Sequence, residues 1–146
     1  MKINFSVQTP GMQISQNRTI AKAKKVLWLS MHKMEELAKL RVPVDTGLLR
    51  RSINLQPRAE GSKEYILADG VEYGEYIEYG TSPHYPPIAP LKKWSKRVLG
   101  DESLAYAVAK KIAIKGTSAQ PFFRPALLEV KTIWVKKYWA RIMSQG

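Results

Sequence analysis

The chain has 146 residues, 45% hydrophobic and 25% charged, a balance that fits a globular protein and excludes a disordered or low-complexity one. It contains no cysteine, which excludes disulfides and thiolate metal sites and is compatible with a reducing compartment. Net charge is +12, unevenly placed: residues 1–41 carry 8 basic and 2 acidic side chains, 42–91 carry 4 and 7, and 92–146 carry 12 and 3.

Two basic arms around an acidic middle suit nucleic-acid binding, or head-to-tail association of identical copies. No apolar run reaches the length of a membrane span, and the N-terminus lacks the apolar core of a signal peptide. The length predicts one domain over 1–146, with 1–14 an edge strand or loose arm. A helix is expected from Ser15 to Leu40, with Ile20, Leu27, Met31, Met34 and Ala38 near one face. Trp28 lies about 100° around from Leu27 and is expected at the edge of that core stripe.

Val42–Ile53 organises the rest. Pro43 forces the preceding helix to stop, Asp45 and Thr46 can bond back to the local backbone, and Gly47 opens a conformation closed to residues with a Cβ. Beyond it, Arg51, Ile53 and Leu55 alternate with polar residues as a half-buried strand would. Asp-Thr-Gly is also the tripeptide of aspartic proteases, where two carboxylates share a proton and activate water. Those enzymes have a small residue where this chain has Leu48, and a strand where this chain has a helical pattern. A self-bonded structural corner is the favoured reading.

Pro57–Ser62 reads as a turn, Lys63–Ala68 as a strand and Asp69-Gly70 as a hairpin signal. In Val71–Thr81, Tyr73, Tyr76 and Ile77 fit one helical face, whereas Tyr73, Ile77 and Tyr79 fit strand alternation; a strand ending in a helical turn is expected. Ser82–Pro90 holds four prolines and predicts a stiff loop. Pro90 then starts a helix striped by Leu91, Trp94 and Val98. Gly100 ends it, and Asp101 caps another that buries Leu104, Val108 and Ile112 until Gly116. Pro121-Phe122-Phe123-Arg124-Pro125 is expected to be extended with both rings presented, and Pro125 to open a long final helix. Trp134 and Trp139, five residues apart, would point about 140° apart and leave an apolar arc too wide for one core. The fold class is therefore α+β, a small antiparallel or mixed sheet packed with a long N-terminal helix, two middle helices and a long C-terminal helix.

No enzyme is expected. His32 and His84 have no ligand pattern around them, no phosphate loop or nucleophile elbow occurs, and no cofactor or metal is expected. Glu75 and Glu78 read as a polar surface or an ion-paired interface, not an acid–base pair.

Three blocks remain: Pro43–Ile53, Tyr76–Thr81 and Gln120–Leu127. In this order and at these separations they resemble the neck proteins of long-tailed bacteriophages, the tail-completion or head–tail joining family. The proline loop and the many lysines depart from that pattern. The resemblance implies a virion structural protein, assembled in the host cytoplasm. It would form a ring, six-fold or twelve-fold, between the head connector or stopper and the tail terminator or tail tube. Genomic DNA would pass through the lumen without sequence-specific binding, and no membrane is involved. Asp45, Thr46 and Gly47 would then be a structural turn. Arg50, Arg51, Tyr76, Glu78, Tyr79, Phe122, Phe123, Arg124, Trp134 and Trp139 become the interface candidates, with Trp139 and the Tyr76–Tyr79 turn as anchors and the arginines as ion-pair partners. A basic nucleic-acid-binding protein is the alternative.

Overall fold

A single long helix, α1 (Gln16–Arg41), provides the surface on which the first part of the molecule packs. Its buried positions Ala23, Val26, Leu27, Met31, Met34, Leu37 and Ala38 recur every three to four residues, so they share one face. Trp28 is not part of that face: it is 46% exposed, its ring edge-on to His32 with centroids 4.3 Å apart. The computed structural model describes residues 1–6, 16–57 and 64–144. The chain divides into two compact units, Met1–Glu72 with Pro121–Gly146, and Tyr73–Gln120. The α+β class is as expected, with both long helices and a small sheet, here wholly antiparallel.

In the first unit α1 stops at Arg41, and Val42 N–H still donates to Ala38 O at 3.0 Å before Pro43 turns the chain. Gly47 adopts φ 76° and caps α2 (Leu48–Ser52), where a strand was expected. The reason is a competing period. Leu49 and Ile53, four apart, are both buried, and Leu48-Leu49-Arg50-Arg51 are all good helix formers. Alternation takes over only at β2 (Asn54–Pro57). The sheet order is β1 (Lys2–Ser6), β3 (Glu64–Ala68), β2, with Leu67 opposite both Ile3 and Leu55. Asp69-Gly70 is no hairpin turn, because β2 and β3 are the hairpin neighbours and their connection, 58–63, lies outside the described residues, as do 7–15 of the expected arm. Asp69 is instead buried, accepting a hydrogen bond from the Met1 amino group.

The Pro-Phe-Phe-Arg-Pro block also differs from expectation. Helix α6 (Phe123–Glu129) begins inside it, so Pro125 sits within the first turn, where its missing N–H leaves nothing unpaired. Both rings are fully buried, centroids 4.7 Å apart, and neither is presented to solvent. A π turn, Val130–Trp134, joins α6 to α7 (Val135–Met143).

In the second unit, 71–81 resolves in favour of helix: α3 (Gly74–Tyr79). The proline loop is shorter than Ser82–Pro90, since α4 (Ile88–Leu99) starts two residues before Pro90. Gly100, φ 81°, ends α4, and Asp101 accepts hydrogen bonds from Ser103 N–H and Oγ, both 2.8 Å, ahead of α5 (Leu104–Lys115). The Ser103 N–H, then its hydroxyl, hold the Asp101 carboxyl below its ordinary value. The apolar stripes are narrower than expected: Val98 and Leu104 are exposed, while Ser95, Ala105 and Ala109 are buried. Small residues inside allow close backbone approach, which leaves larger neighbours at the rim.

Thr81 and Thr117 close this unit by exchanging backbone bonds of 3.1 and 3.2 Å, with their hydroxyls 2.9 Å apart. Gly80 and Gly116 precede them at φ 73°, ψ −176° and φ 70°, ψ −160°, a region open to glycine alone. A Cβ at Gly116 would lie 1.9 Å from Thr81 O, whereas one at Gly100 would meet nothing. Gly116→Ala is therefore expected to cost at least about 3 kcal/mol and Gly100→Ala about 1 kcal/mol. Equal losses in urea unfolding would contradict this.

Candidate interaction surface

The most functional-looking feature of the first unit arises where the C-terminal helix crosses α1. Thr132 causes a local break: its Oγ1 donates to Leu128 O at 2.8 Å and also approaches Glu129 O at 3.4 Å. That side-chain bond competes with the helical ladder, and Val135 N–H instead donates to Val130 O, five residues back. The wider turn stacks Val135 on Val130's side of the helix and moves Trp134 off it. Sequence spacing alone assumes a uniform helix and misses this shift.

The consequence is two different tryptophans. Trp134 is half-buried, with Lys33 Nζ 4.4 Å and Lys137 Nζ 4.7 Å from its ring centroids, and its Nε1 donates to Glu129 Oε1 at 2.9 Å. Glu129 Oε2 in turn accepts from Arg41 Nη2 at the end of α1. Trp134 is thus a tie within the unit. The Trp134 hydrogen bond, followed by Arg41's, holds the Glu129 carboxyl below its ordinary value. Trp139 is 43% exposed and forms the wall of an apolar pocket of about 200 Å³. Val26, Leu27, Ser30 and Met31 of α1 line one side, and Val130, Lys131 and Val135 the other. Ser30 Oγ is buried there with no hydrogen-bond partner.

In the second unit α3 displays aromatic and acidic groups together. Tyr73, Tyr76 and Tyr79 are 40%, 61% and 50% exposed, with Glu72 and Glu75 exposed among them. Glu78, expected on this surface, is fully buried and has partners of its own, so it is not part of the display. Tyr85, Val98, Leu99, Tyr106 and Ile114 add exposed apolar area to the same unit.

The remaining sequence candidates divide plainly. Phe122 and Phe123 belong to the interior, and Arg124 is exposed but partnered. Arg50 and Arg51 are exposed, and among the described residues neither makes an ion pair; Arg51 folds back over Gly47. Pro43 is half-buried, Asp45 exposed and partnered, and Thr46 Oγ1 accepts from Leu48 N–H at 3.4 Å, the local bonding expected of the corner. Among the described residues no three His, Asp or Glu side chains gather as metal ligands, and no helix is long and apolar enough to cross a membrane.

No protein-family model, curated protein or solved structure matches this chain. Its surface chemistry must be judged on its own terms.

Because Glu129 binds its proton less readily folded than unfolded, its bonds stabilise the fold fully above the ordinary glutamate range. That contribution fades as pH falls through the lowered folded value. Glu129→Gln is expected to be less stable than the parent at pH 7 and to lose less between pH 6 and pH 3, measured by thermal melts. Parallel pH profiles would show that the node contributes nothing.

Proposed function

We propose that this chain is a structural protein of the neck of a long-tailed bacteriophage, forming a ring that joins the head connector to the tail tube and lets DNA pass. The observation that carries the reading is Trp139, left 43% exposed beside an apolar pocket. A tryptophan so placed loses favourable burial unless a partner covers it, and such residues dominate protein interfaces. Tyr73, Tyr76 and Tyr79 repeat the pattern on the second unit.

Charge supports the same reading. The acidic stretch 42–91 and the basic stretches on either side give complementary faces, as a heterologous ring contact requires. The three sequence blocks add the neck context, with the Asp-Thr-Gly corner helping to shape the backbone ahead of α2. Head connector or stopper and tail terminator or tail tube are the proposed neighbours, and the virion is the proposed location. The net charge of +12 supports a second reading, a nucleic-acid-binding protein.

Native mass spectrometry with and without the cognate tail tube separates the two. A six-fold or twelve-fold multiple is expected, and Trp139→Ala should weaken assembly by roughly 30-fold, about 2 kcal/mol, while the monomer stays folded. A chain that remains monomeric with the tube, yet shifts duplex DNA in a steeply salt-dependent way, would overturn the neck reading in favour of nucleic-acid binding.

A further inference from the structure

The pocket beside Trp139 has three properties that together describe its occupant. Its walls are apolar, supplied by Val26, Met31, Val130 and Trp139, so it takes an aromatic or aliphatic group. Ser30 Oγ lies buried within it without a hydrogen-bond partner, and burying a hydroxyl unpaired is costly, so the occupant brings a polar atom of its own. Lys131 stands at the rim, exposed and, among the described residues, without an ion pair, so the occupant is flanked by negative charge.

A phenol beside a carboxylate meets all three conditions, and this chain displays one. Tyr76 is 61% exposed and the most exposed of the three α3 tyrosines. Glu75 next to it is exposed and, among the described residues, makes no ion pair. We infer that the pocket receives Tyr76 from a second copy of this chain, its hydroxyl bonding Ser30 and its neighbour Glu75 pairing with Lys131. The donor and acceptor are different surfaces, so the contact is heterologous and each copy can both give and receive. Repetition with rotation then closes a ring instead of stopping at a dimer. This inference rests on the assembly reading above and names the contact within it.

The absence of native cysteine makes the test clean. Lys131→Cys and Glu75→Cys proteins, prepared separately and mixed under mild oxidation, can form a mixed disulfide only between copies. The heterodimer should exceed that from Lys131→Cys mixed with Lys110→Cys by at least ten-fold. In sedimentation, Lys131→Glu should weaken self-association at least ten-fold, and adding Glu75→Lys should restore most of it. Tyr76→Phe should weaken it less than Tyr76→Ala, because only the hydroxyl bond is removed. Mixed disulfide at the control level, or a Lys131→Glu protein that assembles normally, would overturn this contact. If native mass spectra still show a ring in that case, the assembly reading stands and only the site is wrong. If no oligomer forms with or without the tail tube, both fall.

Discussion

The backbone bond from Val135 N–H to Val130 O decides what the C-terminal helix presents. In a uniform α-helix, residues five apart point about 140° away from one another, and Trp134 would follow Val130 on the packed face. The wider turn places Val135 and Trp139 at the α1 pocket and hands Trp134 to Glu129, Lys33 and Lys137. One tryptophan fastens the helix, and the other is left for something outside. Thr132, bonded to Leu128 O, is the local cause.

The two units resolve packing in different ways. The first buries large residues, among them Met31, Met34, Ile53, Leu67, Phe122 and Phe123. The second brings its helices close through Ala105, Ala109 and Ser95, and joins its ends through Thr81 and Thr117 between two glycines in strained conformations. A tight seam between small residues leaves Leu104, Tyr106, Val98 and the α3 tyrosines outside. Exposed apolar surface is thus a consequence of how this unit packs, and it is the material an assembly protein needs.

Much of the architecture was legible in the chain. Proline 43 and the four positive-φ glycines mark real boundaries, and α1 follows its apolar period to within a residue or two. Failures occurred where two periods overlap. Leu49, Ile53 and Leu55 satisfy both a helical and an alternating pattern, and burial of Leu49 with Ile53 chose the helix. Tyr73, Ile77 and Tyr79 posed the same ambiguity. Phe122 and Phe123 sit between two prolines that suggested extension, but a proline in the first turn costs a helix nothing. For the candidate surface, Trp139 and Tyr76 could be singled out by type, whereas the pocket could not. It depends on a π turn whose only trace in sequence is a threonine within an otherwise regular helical pattern.

The central claim is that Trp139 and the α3 tyrosines are left bare in the single chain because a neighbour covers them. Hydroxyl-radical footprinting of the free protein and of the protein assembled with the tail tube measures that coverage directly. Oxidation of Trp139 and Tyr76 should fall several-fold on assembly, while Trp28, equally exposed in the free chain but outside the pocket, changes little. Unchanged oxidation of Trp139 in the assembled state would contradict the account.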